Sequence, residues 1–507
     1  MLPIDNLYRT ARSNPDAIAV ESAETRLTYR ELVGRVDAVA TAIQALLPGK
    51  QNRVAVCGYN TVEHFISILA IYASANTWVA LNPRNAKLEL DRMVELAKPS
   101  LFIVDENCLG SFGQSGSPIW LGHSQQSAQG DSDALHKIFA SKVGMRPEWR
   151  GPVLDDVQVI KFTGGSTGIP KAVQQTYRNG NVVQAHLRMV FGINSRDAYL
   201  AVSPLTHGGG VYIIPMLAVG GRQILMDKPS AAGILDAVEQ RRVTRVFLPP
   251  TLIYQMMAEQ AARPRDLSAL YSITYGAAPM PVEKIQEAQA IFGNKIDVIY
   301  GQTEAPQCLA AATREELADE RNRGTVGRPC PLVRVEVMDS AGRILPPNEP
   351  GEIVARGDLI MKGYLDNPAL TAKTIVDGWL HTGDVGIFDE RGYLTIKDRL
   401  KDMVISGGFN VYPADVESVL ACHSAVYESV VFGVPDDKWG ERVEAAVQLR
   451  NEAKVQPDEL IAFLKQRIGS VQTPKAIHIV EALPRNAVGK VLRRDVRELF
   501  KRTEGGR

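Results

Sequence analysis

Short apolar runs rich in β-branched residues recur along the chain: RVAVCGY (53–59), LFIVDE (101–106), VIKFTGG (159–165), RQILMD (222–227), RVFLPP (245–250), SITYGAA (272–278) and IDVIYGQ (296–302). Between them lie amphipathic stretches such as AAGILDAVEQRR (231–242) and PVEKIQEAQAIFG (281–293). Strands that alternate with helices imply parallel βαβ units, so the pattern predicts an α/β architecture. Ligands of such sheets collect at the carboxyl ends of the strands, and several of these runs end in glycine or proline.

From about residue 324 the texture changes. VRVEVMDSAGRILPPNEPGEIVARG (333–357) and GIFDERGYLTIKDRL (386–400) alternate apolar and polar residues and read as antiparallel hairpins. After 401 a smaller unit follows, with PADVESVLACH and PDELIAFLKQRI as helices and VYESVVFGV and RVEAAVQLR as strands. The expected organisation is a large N-terminal domain over 1–400, with a β-rich subdomain at about 324–400, and a small α+β domain over 401–507. Residues 110–133, rich in Ser, Gly and Gln, read as a surface loop.

A chain of 507 residues exceeds what one core supports. The 57 basic and 57 acidic residues cancel, which argues against an electrostatic attraction to nucleic acid or to an anionic membrane. Five scattered cysteines without a CxxC pair fit a reducing cytoplasm rather than a disulfide framework or structural zinc. No secretory signal is read at the N-terminus, and the most apolar window, 65–81, is broken by Ser67, Ser74, Asn76 and Thr77, so no membrane span is expected.

Three segments concentrate chemistry. FTGGSTGIPKAV (162–173) follows an apolar strand and combines glycines, hydroxyls and one lysine, the ingredients of a phosphate cradle. It is not a Walker A loop, because Ile169 and Pro170 separate Gly168 from Lys171. YGQTEAP (300–306) puts Glu304 just past a strand end, where a carboxylate can hold Mg²⁺ beside phosphates. In 379–417, Asp384 between glycine-bearing turns can accept a ribose diol, with Arg399 as a cation for the same sugar. Taken singly, each also reads as a flexible loop, a turn carboxylate or a surface arginine.

Together, in order and spacing over nearly the whole chain, these segments resemble the adenylate-forming (AMP-binding) superfamily: acyl-CoA and aryl-CoA synthetases, firefly-type luciferases and peptide-synthetase adenylation domains. The resemblance implies that Thr163, Gly164, Gly165, Ser166, Thr167, Gly168 and Lys171 grip the ATP phosphates with Thr303, and that Glu304 is the Mg²⁺ ligand. Gly164 and Ala172 depart from the commonest pattern, where serine and glycine stand. Gly276, Ala277, Ala278, Pro279, Tyr300 and Gly301 are implied around adenine, with Tyr300 as a stacking partner, and Asp384 and Arg399 around the ribose.

The same resemblance implies a hinge at Lys401 and a catalytic lysine in PRNAVGK, Lys490, bridging the acid carboxylate and the α-phosphate. It implies a passage for CoA at Ser406, Gly407, Gly408 and Phe409. His207 is implied as a gate or wall of an acyl pocket with Gly208, Gly209, Val211, Phe247, Tyr275 and Gln302, in which Gly208, Gly209 and Gly210 leave space. The acyl segments contain no arginine or lysine placed for a second carboxylate and no aspartate for an amine, which leans towards an apolar monocarboxylate, aryl or fatty. The implied activity is ATP-dependent acid–CoA ligation through an acyl-adenylate. A carrier-protein-loading enzyme and a non-catalytic nucleotide-binding homologue are the competing readings.

Overall fold

Six strands of four or five residues are buried along their whole length among the described residues: Thr77–Leu81, Leu101–Val104, Ala198–Ala201, Arg245–Leu248, Ser272–Tyr275 and Ile296–Tyr300. Burial on both faces is the condition of parallel strands covered by crossover helices, and all six have a parallel neighbour. A computed structural model describes residues 1–111, 118–122, 134–163, 170–407, 409–436, 439–450, 453–485 and 491–504. The chain divides into two compact units: 1–279, 287–335 and 355–380 form the first, and 280–286, 336–354 and 381–507 the second. This division differs from a cut at 400–401, since the hairpin over 381–399 shares its unit with everything that follows.

The first unit holds two sheets. One has nine strands, with Ala198–Ala201, Arg222–Leu225, Arg245–Leu248, Ser272–Tyr275 and Ile296–Tyr300 running parallel at its centre. Next to Arg222–Leu225 runs Ile18–Glu21 in parallel, and Arg26–Thr28, antiparallel to it, forms the edge. The other has seven strands, in which Val157–Thr163 lies between Thr77–Leu81 and the antiparallel Lys171–Thr176. The Thr176 side chain accepts from Asn179 N and the Asn179 side chain accepts from Thr176 N, a capping box that starts the helix Tyr177–Phe191 directly after Lys171–Thr176. The 110–133 stretch is not all loop: Ile119–Leu121 adds to the edge of the second sheet beside Leu101–Val104.

In the second unit, Val426–Asp436 and Gly440–Leu449 form a long antiparallel pair, and Ala476–Val480 adds in parallel to the latter. Val404, Val416, Leu420, Val443, Leu460 and Leu464 form the core between this sheet and the helices Pro413–Ala421 and Pro457–Gln472. The C-terminal helix, Arg493–Glu504, seats Val496 against Val430, Phe432 and Leu483. The hairpin expected over 386–400 is present and begins earlier, with Asp384 opposite Arg399.

Candidate active site

Thr163 and Lys171 stand opposite each other across the antiparallel pair of Val157–Thr163 and Lys171–Thr176, so ladder pairing holds together the two ends of the Gly/Ser/Thr segment. Gly164, Gly165, Ser166, Thr167 and Gly168 themselves lie outside the described residues. Ala172, the residue that replaces a glycine, is buried in the core against this sheet.

Thr303 and Glu304 follow the strand Ile296–Tyr300 in a loop that doubles back at once, with Leu309 N donating to Tyr300 O (2.8 Å) and Gln302 N to Ala305 O (3.0 Å). Gly301 makes this return possible, because a Cβ there would lie 2.4 Å from the Gln307 carbonyl carbon. Two side chains that sequence reasoning missed join the loop to the Lys171 strand. Gln175 Nε2 donates to Thr303 O (2.7 Å), and Tyr364 Oη donates to Glu304 Oε1 (2.8 Å). The Lys171 ammonium lies 5.5 Å from the centroid of the same Tyr364 ring. Burial, reinforced by Glu304, pushes the Tyr364 phenol above its ordinary pKa, so it remains a donor. Its only sequence signal was a Gly-Tyr pair shortly before the helix-capping Asn367 and Pro368.

Around the predicted acyl pocket, Phe247 is the centre. Its ring packs against both Gly208 and Gly276, whose added Cβ atoms would meet it at 2.3 and 3.1 Å. The three glycines therefore do not leave open space as expected. The Phe247 ring fills the room beside Gly208, while backbone carbonyls of Ser203 and Leu205 would stand 2.1 and 1.9 Å from Cβ atoms on Gly209 and Gly210. This close approach allows the short helical turn Gly208–Val211. Tyr275 is buried at the end of its strand, followed by buried Gly276 and exposed Ala277, Ala278 and Pro279, with Ala277 in the left-handed region at φ 68°.

His207 lies beside this turn with an exposed edge, its Nδ1 2.8 Å from Thr206 Oγ1. Surrounding protein desolvates the ring and Lys161 opposes its charged form, so its pKa is held low, with the open edge limiting the shift. Lys161, on the strand Val157–Thr163, was also missed. Its ammonium forms no ion pair among the described residues, and burial brings its pKa down to about 8. The acyl segments thus have a cation near them that they do not themselves contain, and its field favours an incoming carboxylate.

In the second unit, Asp384 is buried and accepts from Arg399 Nε at 2.6 Å, while the Arg399 side chain is 44% exposed. The two predicted ribose residues are therefore a preformed pair with the guanidinium facing outwards. Lys401 is exposed in the turn that follows, where Asp402 N and Met403 N both donate to Arg399 O. Ser406 is buried and Phe409 exposed, on facing strands of a tight hairpin. The room expected beside Gly407 is taken by the Trp439 indole, 2.8 Å from where a Cβ would sit. Gly408 and Lys490 lie outside the described residues. Just beyond Lys490, Arg493 is no surface residue: it bonds Glu417 Oε1 (2.7 Å) and Asp398 Oδ1 (3.2 Å) and pairs with Asp402 Oδ2 (3.5 Å).

Among the described residues no helix is long and apolar enough to cross a membrane, and no group of three or more His, Cys, Asp or Glu could hold a metal. Glu304, a lone carboxylate near the Lys171 ammonium through the shared Tyr364 ring, does suit Mg²⁺, which binds through one or two carboxylates together with substrate phosphates and waters.

Known proteins resemble the chain over nearly its full length. A feruloyl-CoA synthase of an Amycolatopsis species is 34% identical over 494 residues, 97% of this chain and 98% of that protein. A medium/long-chain fatty-acid–CoA ligase of Mycobacterium tuberculosis is 33% identical, over 94% of this chain and 86% of that one. The o-succinylbenzoate coenzyme A synthetase of Bacillus subtilis, solved in complex with ATP and magnesium ion, superposes with a TM-score of 0.83 at 25% identity, covering 96% of this chain and 98% of that one. Residues 7–365 match the AMP-binding enzyme family and residues 415–490 the AMP-binding enzyme C-terminal domain. On the match over residues 7–365 and relatives 33–34% identical over nearly the whole chain, the chain belongs to the AMP-binding enzyme family.

Proposed function

We propose that the chain is an AMP-forming acid–CoA ligase. The observation that carries this reading is the convergence in one compact unit of Thr163, Lys171, Thr303 and Glu304 at the ends of two adjoining loops. The names of its relatives, synthases and ligases that form CoA thioesters of aryl and fatty acids, support it.

In the first half-reaction a carboxylate oxygen bonds to the α-phosphorus of ATP while the bond to the β-phosphate oxygen breaks, giving acyl-adenylate and pyrophosphate. Both reactants are anions, so the barrier is largely one of charge, and fixed cations and donors lower it. Lys171 and the hydroxyls of Thr163 and Thr303 bind the phosphates, Asp384 accepts from the ribose hydroxyls, and Arg399 faces the same sugar. Glu304 would hold Mg²⁺, whose charge offsets that of the triphosphate. Lys490 bridges carboxylate and α-phosphate. In the second half-reaction the CoA thiol loses its proton, its sulfur bonds to the acyl carbon, and AMP leaves. Residues 401–507 act as a small domain that turns at Lys401 between the two steps, bringing Lys490 for the first and Ser406–Phe409 for the second.

The acid is a monocarboxylate with an apolar body, aryl or fatty, and the location cytoplasmic, where the five free cysteines stay reduced. Pyrophosphate release with Mg·ATP, measured over a panel of aryl acids and short to long fatty acids, with and without CoA, tests the whole reading. No release above background with any acid would return the chain to a nucleotide-binding role without turnover. Acyl transfer to a holo carrier protein but not to CoA would change the acceptor. Lys490→Ala is expected to slow adenylation by at least ~10²-fold while sparing thioester formation from supplied acyl-adenylate. Equal loss in both half-reactions would remove the domain movement from the account.

A further inference from the structure

Lys171 and Glu304 carry opposite charges and approach the same tyrosine, yet among the described residues neither forms an ion pair with the other or with any third group. An ammonium and a carboxylate free to meet in a partly buried site would attract strongly. Tyr364 occupies both. Its hydroxyl donates to Glu304 Oε1 at 2.8 Å, and its ring face takes the Lys171 ammonium at 5.5 Å from the centroid, within range of a cation–π contact.

The tyrosine is itself held on several sides. It is 6% exposed and belongs to the two-residue strand Gly363–Tyr364, antiparallel to Lys171–Thr176 with Tyr364 opposite Val173. Lys362 N donates to Gln174 O (2.9 Å), Leu365 N to Ala172 O (2.8 Å) and Tyr364 N to Thr371 Oγ1 (2.9 Å). From the same segment, Met361 N donates to Glu304 O (2.8 Å). Residues 361–365 therefore bond the backbone of the lysine's strand on one side and of the glutamate's loop on the other.

We infer that Tyr364 is a positioning residue for adenylation: it spaces the Glu304 carboxylate from the Lys171 ammonium and keeps both charges available, the one for the metal and the other for the phosphates. This rests on the assignment of Glu304 and Lys171 to Mg·ATP. Donation by the phenol takes one lone pair of Oε1, fixes the carboxylate rotamer and leaves Oε2 for a cation. The ring holds the ammonium without neutralising it, as a second carboxylate would. Nothing here requires Tyr364 to touch a substrate.

Two substitutions separate the roles. Tyr364→Phe keeps the ring and removes the hydroxyl; Tyr364→Leu removes both. Calorimetric titration of full-length protein with ATP, in Mg²⁺ and in EDTA, reads binding directly, alongside the apparent Mg²⁺ requirement of pyrophosphate release and the rate of thioester formation from supplied acyl-adenylate. For Tyr364→Phe the expected result is a Mg²⁺ requirement raised about tenfold, the scale of one hydrogen bond to a charged group, with ATP binding in EDTA and thioester formation unchanged. Tyr364→Leu should also weaken ATP binding in EDTA. The inference is overturned if Tyr364→Phe binds Mg·ATP and requires Mg²⁺ as the parent does, whatever the fate of the leucine variant. If the parent protein itself binds ATP equally with and without Mg²⁺, the assignment of Glu304 falls, and the inference with it.

Discussion

Arg399 reaches Asp384 through Nε and leaves the rest of its guanidinium towards solvent, so the buried carboxylate is oriented before any nucleotide arrives. A carboxylate accepting both hydroxyls of a ribose makes charge-assisted bonds worth about 1.5–3 kcal/mol each. Asp384→Ala is accordingly expected to raise KM for ATP by roughly 10²- to 10⁴-fold, and to erase any preference of the parent enzyme for ATP over 2′-deoxy-ATP in pyrophosphate release. A variant that keeps that preference would detach Asp384 from the sugar. At this scale most of the candidate site was legible, because hydroxyl, glycine and carboxylate residues stand in unusual density at strand ends. Tyr364 and Lys161 were not: each lies singly in an ordinary-looking strand, and only pairing across the sheet shows what it faces.

Among the elements, the C-terminal helix shows how a bland-looking segment becomes structural. Arg493 at its first turn neutralises Asp398 and Glu417, and burial pushes the Glu417 carboxyl up even with the guanidinium beside it. Removing one partner of such a cluster leaves buried charge uncompensated, so Arg493→Ala should destabilise the second unit by about 3–5 kcal/mol, read as a lowered urea midpoint. Gly210→Ala should also destabilise, since its Cβ would sit 1.9 Å from Leu205 O and force the Gly208–Val211 turn apart; loss of thermal stability checks it. The alternation of strand and helix was readable because buried parallel strands need continuous apolar runs. Three neighbouring glycines carry no such signal. They read as open space, but packing leaves no room beside them for even a Cβ. Ile119–Leu121 was likewise hidden, being three residues of strand in a Ser/Gly/Gln-rich surround.

For the whole molecule, acid is the expected weakness. His64 is fully buried, with Nδ1 2.8 Å from Tyr59 O and Nε2 without a partner, and Leu332 N donates to Nε2 of buried His186. Burial brings both down to about 4. A histidine whose pKa is depressed by folding adds stability above its unfolded value of about 6.5 and loses it as pH falls towards 4. For His64 that loss is on the order of 3 kcal/mol. Urea midpoints taken between neutral pH and pH 4 should fall steadily, and His64→Gln should flatten the fall even if it lowers stability at neutral pH. The large nine-stranded sheet carries a different consequence. Its strand Ile18–Glu21 is made long before its parallel neighbour, Arg222–Leu225. At ribosomal rates of about 5–20 residues per second, the emerging chain must carry that strand, with only Arg26–Thr28 to pair with, for about 10–40 s before that neighbour has been synthesised, an interval in which a chaperone, or a second nascent chain, can reach its open side first.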